Sequence, residues 1–313
     1  MPETTPPEPA PPPTPLQEAA DPVLGAAGVR LLLKRDDLLH PPVSGSKWRK
    51  LGPNLEQARR RGLGTLLTFG GAWSNHLRAA AAAGREAGLR TVGVVRGDEL
   101  RGRPLNPSLA QAAADGMELE FLDRASWRRR TEPDVLGPLL RRYGPAWVVP
   151  EGGSNAPGVR GCATLGRELA AEPVEVVCCS VGTGGVLAGL AAGLAPRQRA
   201  LGIAALAHVP LAVETEELQH RAWGGRRGSW RIETGFARRG YGRTDPELLY
   251  AVDEFARTNG VVLDPCYEGK ALLAVRALAE QGEFARGTTT VLVVAGSGTP
   301  GVEWSSPRSR PIP

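Results

Sequence analysis

The pattern that most constrains this chain is an alternation of two kinds of segment. Short apolar runs recur: VRLLLKR (29–35), TLLTFG (65–70), TVGVV (91–95), MELEFL (117–122), AWVVP (146–150), VEVVCCSV (174–181), LGIAALAH (201–208) and TTTVLVVAG (288–296). Helix-compatible stretches such as NHLRAAAAAGREAG and GVLAGLAAGLA lie between most of them. A strand that is apolar on both faces needs cover on both faces, and the intervening helices supply it. The pattern therefore predicts an α/β protein of two domains, each with a mainly parallel sheet flanked by helices. The runs between 65 and 150 suit a compact small domain. The expected organisation is a disordered proline-rich arm (1–25), a large domain (26–54 and 153–302), a small domain (55–152) and a flexible tail (303–313).

Bulk composition excludes several functions. The net charge of +5 invites a nucleic-acid reading, but the arginines sit in scattered clusters with no nucleic-acid motif beside them, which reads as solvated helix faces. No apolar run approaches the roughly 18 residues of a membrane span. The start, MPETTPPEPAPPPTPLQEAADP, lacks the basic and apolar regions of a signal peptide. The four cysteines, Cys162, Cys178, Cys179 and Cys266, lack metal-ligand spacing and read as buried thiols of a reducing compartment. No metal, membrane or nucleic-acid partner is expected, and the cytoplasm is the expected location.

Lysine usage carries the first chemical hint. Of 38 Lys and Arg residues, only Lys34, Lys47, Lys50 and Lys270 are lysine. An amine can lose its proton and attack a carbonyl, whereas a guanidinium cannot. In SGSKWRKL (44–51) Ser44 or Ser46 suits a helix cap, and Gly45 eases the turn. At about 100° per residue, Lys47 borders the apolar face formed by Leu51, Leu55 and Ala58, while Arg49 and Lys50 point further away. A lysine against apolar surface is desolvated and becomes nucleophilic, the requirement for a Schiff base. Pro53 is expected to kink this helix.

Three further segments add to it. In TLLTFGGAWSNHLR a strand ends at Gly70-Gly71 and a helix starts near Ser74-Asn75, a usual place for anions and cofactors in α/β proteins. In VVCCSVGTGGVLAGL a strand runs into Gly182, Thr183, Gly184 and Gly185, whose backbone amides suit a phosphate. It is neither a P-loop nor a dinucleotide fingerprint, because the Gly-Lys-Ser/Thr and the third glycine are absent. In LDPCYEGKALLAV, Tyr267 suits acid–base work and Glu268 suits a cationic nitrogen.

Together these segments resemble the pyridoxal-phosphate enzymes of fold type II (tryptophan synthase β-like). Within them they resemble the family of 1-aminocyclopropane-1-carboxylate (ACC) deaminase and D-cysteine desulfhydrase, from about Leu31 to Gly298. The resemblance implies pyridoxal 5′-phosphate as cofactor, a small amino acid as substrate and a homodimer. It puts Lys47 at the Schiff-base position, Asn75 against the pyridine 3′-oxygen, Ser74 at the substrate carboxylate or in proton transfer, and Gly182 to Gly185 around the phosphate. RGYGRTDPEL and LDPCYEGK look like the active-site tyrosine segments, giving Tyr241 and Tyr267, with Glu268 by the ring nitrogen. Val186 replaces a frequent Thr, and Ala295-Gly296-Ser297-Gly298 replaces a His-Thr-Gly-Gly or His-Leu-Gly-Gly segment. Ser-Asn-His is desulfhydrase-like, whereas Glu268 is deaminase-like. The favoured expectation is β-elimination from D-cysteine. ACC deamination comes second, and a non-catalytic phosphate-ligand-binding protein third.

Overall fold

The computed structural model describes residues 13–40, 43–207, 209–238, 240 and 242–296. Its strands are β1 (Leu16–Ala19), β2 (Arg30–Arg35), β3 (Thr65–Gly70), β4 (Arg90–Arg96), β5 (Met117–Leu122), β6 (Trp147–Val149), β7 (Val176–Val181), β8 (Arg199–Ala204), β9 (Ser229–Glu233) and β10 (Thr289–Val294). The helices are α1 (Pro22–Ala27), α2 (Gly45–Arg60), α3 (Asn75–Glu86), α4 (Pro107–Ala114), α5 (Arg124–Arg128), α6 (Pro133–Tyr143), α7 (Ala156–Leu169), α8 (Gly185–Gly193), α9 (Leu211–Trp223), α10 (Pro246–Asn259) and α11 (Glu268–Glu280).

The larger sheet runs β1-β2-β10-β7-β8-β9 and is parallel except for β1, which pairs antiparallel with β2. The smaller sheet, β5-β4-β3-β6, is wholly parallel and built within one stretch of chain. Alternation along each strand distributes the core. Leu31, Leu33 and Cys178 join Phe255, Leu272 and Val275 of α10 and α11, while Leu32, Val177 and Cys179 join Leu165 of α7 and Leu187 and Leu190 of α8. In the small sheet Leu66 and Val95 meet Leu51 of α2 and the alanines of α3, and Phe69 and Val94 meet Trp127 and Leu139. Both faces of both sheets are therefore covered, which is why these strands read as unbroken apolar runs.

Two strands escaped the sequence reading, and one corrects it. Residues 16–19 fall inside the expected disordered arm, yet Leu16 to Ala19 pair with Lys34 to Leu31. The exposed edge of β2 offers unpaired backbone groups that a short, partly polar segment satisfies. β9 has five residues and follows an Arg- and Gly-rich stretch, so its apolar signal is weak. Pro22 to Gly25 of the expected arm likewise begin helix α1, while residues 1–12 and the tail lie outside the described residues.

Helix α2 also departs from expectation. Arg49 is not solvated. It is 5% exposed and bonds Asp36 at 2.7 Å and Glu168 of α7 at 2.7 Å. Lys34 joins Glu168 at 2.6 Å, and the Thr14 hydroxyl donates to Asp36 at 2.7 Å. Helix α7 covers the side of α2 that faces away from the small sheet, so that side is buried as well. The backbones nearly touch: a methyl group on Gly161 would lie 1.9 Å from the Arg49 carbonyl oxygen.

Removing one partner from a buried charge cluster leaves the others uncompensated, which costs about 3–5 kcal/mol. Arg49→Met is therefore expected to lower the unfolding free energy of the protein by about that much. Urea denaturation measures it, and a loss below about 1 kcal/mol would mean that solvent, not Arg49, balances Asp36 and Glu168.

Candidate active site

A cavity of about 1180 Å³ lies where the carboxyl ends of the two sheets face each other. The loop after β3 supplies Gly71 to Asn75, the loop after β7 supplies Gly182 to Gly185, and the loop after β10 supplies Ala295 and Gly296. In the large sheet β7 leads on to β8 on one side and has β10 on the other, so the cavity sits at a switch of strand order, the usual ligand position in open α/β sheets.

Nine of the expected site residues line this one cavity: Lys47, Ser74, Asn75, Gly182, Thr183, Gly184, Gly185, Tyr267 and Glu268. Tyr241, Ser297 and Gly298 lie outside the described residues.

Lys47 enters from the first turn of α2. Its start is held by a tight contact with the end of β10: Ser44 donates to the Gly296 oxygen at 2.8 Å, and a methyl group on Gly45 (φ 48°) would lie 2.2 Å from the Ala295 oxygen. Pro53 is accommodated within α2, because the helix continues unbroken from Gly45 to Arg60. Burial holds the Lys47 amine below its usual proton affinity. The charge of Arg78 acts in the same direction, and the nearby carboxyl of Glu268 works against both.

Glu268 begins α11 and is 1% exposed. Its Oε1 accepts from the Ala295 amide at 3.0 Å, while Oε2 is buried without a partner. Burial, with the charge of Asp264 second, pushes its carboxyl up to about 8, far above the usual carboxylate range. An orphaned buried carboxyl oxygen on a cavity wall marks a place for a polar group the protein lacks.

The glycine loop is built around two hydroxyls. Thr183 Oγ1 and Ser154 Oγ are 2.6 Å apart. Gly184 has φ 75°, and a methyl group there would lie 2.6 Å from Thr215 Oγ1. α8 starts at this loop, so its free amides face the cavity. Val186 packs against the apolar cluster, and the hydroxyls beside the loop come instead from Thr183 and Ser154. Tyr267 lies across from it, its ring 3.6 Å from where a Gly182 methyl would stand.

Ser74 caps α3 by accepting from the Leu77 amide at 3.3 Å, which leaves its own hydroxyl hydrogen for the cavity. Asn75 Oδ1 accepts from Arg78. These residues fit pyridoxal phosphate: an amine for its aldehyde, amides and hydroxyls for its phosphate, and an orphaned carboxyl oxygen for its ring nitrogen.

Lys50, His76, Arg78 and Ser154 also line the cavity and went unassigned in the sequence. Lys50, expected to point away, is 3% exposed, and it shares the cavity wall with Lys47 and His76. Burial pushes its amine down to about 7, and Lys47 adds to this. Its spacing of three from Lys47 was the available signal, since such residues share a helix face. His76 is also buried. The Thr68 hydroxyl donates to the Val149 oxygen at 2.8 Å, so its oxygen must accept from His76 Nε2 at 2.8 Å, leaving Nδ1 unprotonated and unpartnered. Burial and the two lysines keep His76 neutral. The other lysines are structural: Lys34 serves the buried charge cluster, and Lys270 donates to the oxygens of Ala205, Ala237 and Gly240. Among the described residues no group of acidic, His and Cys side chains suits a metal, and no helix is long and apolar enough to cross a membrane.

Comparison with known proteins identifies the family. A family model described as pyridoxal-phosphate dependent enzyme matches residues 8–296. A Thermotoga maritima protein provisionally named a 1-aminocyclopropane-1-carboxylate deaminase is 32% identical, covering 78% of this chain and 82% of that protein. A Yersinia pestis D-cysteine desulfhydrase is 30% identical, covering 82% and 83%. The crystal structure of an ACC deaminase homologue superposes with a TM-score of 0.80 at 26% identity, covering 92% of this chain and 90% of that one.

Lys50 provides a test that needs no ligand. Its amine is depressed in the folded chain, so at and below about pH 7 folding must bury a charge. From about pH 7 up to the ordinary lysine range the unfolded chain binds the extra proton, and stability rises with pH. Lys50→Met is therefore expected to raise the melting temperature most at pH 7 and progressively less toward pH 10. Equal melting temperatures at pH 7, or a gap that widens with pH, would show that Lys50 is not buried as a costly charge.

Proposed function

This chain belongs to the pyridoxal-phosphate-dependent enzyme family, and from that premise we propose that it catalyses β-elimination from a small amino acid, D-cysteine above all. D-cysteine and water give pyruvate, ammonia and hydrogen sulfide. The observation that carries the reading is the convergence, on one wall-to-wall cavity, of a desolvated lysine, a glycine loop at a helix start and an unpartnered buried carboxyl. When bound, pyridoxal phosphate supplies the carbonyl carbon that joins to an amine and the ring that accepts the electron pair left on the substrate α-carbon.

The residues divide the work as follows. Lys47 holds the cofactor through its amine, and once displaced by the substrate it is the neutral base for the α-proton. The amides of Gly182 to Gly185, with Thr183 and Ser154, bind the phosphate. Glu268 Oε2 keeps a proton at the ring nitrogen. Ser74, with its hydroxyl hydrogen still available, orients the substrate carboxylate. Tyr267 returns a proton to the departing sulfur, and Tyr241 is its proposed partner. The proposed bodies are residues 26–54 with 153–302 and residues 55–152, and helix α2, unbroken from Gly45 to Arg60 with Leu51 and Leu55 on the core of the small sheet, joins the two. The small sheet, drawn wholly from one stretch of chain, supports that division. A homodimer in the cytoplasm completes the proposal, and light scattering reads the dimer.

Glu268 favours a second reading. A carboxyl at the ring nitrogen makes a stronger electron sink, and ACC, which lacks an α-proton and a good leaving group, needs that sink more than D-cysteine does. ACC and water give 2-oxobutanoate and ammonia.

Two experiments test these assignments. Borohydride reduction of the holoenzyme followed by peptide mapping is expected to label Lys47, and Lys47→Arg is expected to abolish turnover because a guanidinium cannot make the linkage. Label on Lys50, Lys34 or Lys270 would overturn the assignment. A substrate panel then reads 2-oxo acid and ammonia for wild type and Glu268→Thr. The variant is expected to lose kcat/KM on ACC at least about tenfold more than on D-cysteine, a differential of about 1.4 kcal/mol. An unchanged ratio would remove Glu268 from substrate choice. Tight cofactor binding with no product from any amino acid would favour a non-catalytic phosphate-ligand-binding protein.

A further inference from the structure

Arg78 lines the cavity but has no part in the scheme above. It lies three residues after Asn75, in the first turn of α3 and on the same face, and donates through Nη2 to Asn75 Oδ1. A cation in a first turn opposes the positive end of the helix dipole, and no acidic residue stands in that turn to offset it. Helix stability therefore does not account for an arginine there. Its charge also disfavours a proton on Lys47, so it stands close to the amine on which the chemistry depends.

The Arg78–Asn75 contact has a definite chemical sense. A guanidinium has donors only, whereas a carboxamide has an acceptor end and a donor end. Arg78 therefore selects the Asn75 oxygen and leaves its NH2 group for the cavity. Among the described residues no group accepts from that NH2. The 3′-oxygen of bound pyridoxal phosphate carries negative charge and calls for a donor. With Arg78 absent, Asn75 is free to turn its own oxygen there, which repels.

We propose that Arg78 is a positioning residue: it locks the Asn75 carboxamide with its NH2 edge toward the cofactor's 3′-oxygen. The inference rests on the reading above that Asn75 meets this oxygen.

The test is a double-mutant cycle on the cofactor-free protein. Asn75→Ala, Arg78→Met, the double variant and Arg78→Lys are titrated with pyridoxal phosphate, with affinity and the pH dependence of the absorption band as readouts. Thermal unfolding of each cofactor-free variant is measured alongside. If Arg78 acts through Asn75, each single change weakens affinity about tenfold, as loss of a charge-assisted hydrogen bond does. The double variant is then within about twofold of Asn75→Ala alone, because the second change has nothing left to act on. Arg78→Met moves the midpoint of the absorption change in the same direction as Asn75→Ala, and Arg78→Lys, which keeps a donor, recovers part of the loss. Losses that multiply to about a hundredfold would show Arg78 acting apart from Asn75 and overturn the inference. So would a lowered melting temperature for Arg78→Met with affinity and band unchanged. Unchanged affinity in Asn75→Ala would remove the reading of Asn75, and this inference with it. A loss in Asn75→Ala but none in Arg78→Met would remove this inference alone.

Discussion

The docking of α2 onto α7 is the constraint on which the site depends. Gly161 lets the two backbones meet, and Arg49 ties α2 to Asp36 and Glu168 in a buried cluster shared with Lys34. Helix α2 is thereby fixed on its outer side, while Leu51 and Leu55 fix it to the small sheet on its inner side. Its first turn has little freedom left. The Ser44 and Gly45 contacts with Ala295 and Gly296 then set where Lys47 emerges. The Ala295 amide also holds Glu268, so the end of β10 links the two elements that carry the amine and the carboxyl of the cavity wall.

This arrangement explains why so arginine-rich a chain keeps four lysines. Each is buried or half-buried where a guanidinium does not serve. Lys34 fits a single carboxylate and a backbone oxygen, and Lys270 gathers three carbonyl oxygens around one small ammonium. Lys47 and Lys50 share a wall with a neutral histidine and a guanidinium, and burial makes both poor holders of a proton. The site is thus short of negative charge at its base. Burial raises the proton affinity of the Glu268 carboxyl in its wall. A dianionic phosphate and an anionic ring oxygen complement such a cavity.

Much of this was legible in the sequence, and the reasons differ by residue. Most of the eight apolar runs became strands covered on both faces, which leaves an apolar signature that needs no knowledge of neighbours; β5, with Glu118 exposed, is the exception. The Ser74 cap and the Gly182 to Gly185 loop were legible because caps and tight turns are local chemistry. β1 and β9 were not, because LQEA and SWRIE mix polar with apolar residues and gain their stability from a partner strand rather than from their own composition. Lys50 and Arg49 were misplaced for a related reason: a single helix wheel assumes one apolar face, and α2 has cover from α7 as well as from α3.

The sequence alone determined the α/β class, the alternation of eight of the strands with helices, and the residue types at each loop, because these follow from local periodicity and turn preference. Only the tertiary structure decided which residues are partners. It brought loops separated by as many as 252 positions, such as Ser44 and Gly296, into hydrogen-bond contact. It also turned Glu268 from an ordinary carboxylate into a buried, half-satisfied one with raised proton affinity. Burial and through-space charge set proton affinity, and both depend on what other parts of the chain place nearby, which no local pattern encodes.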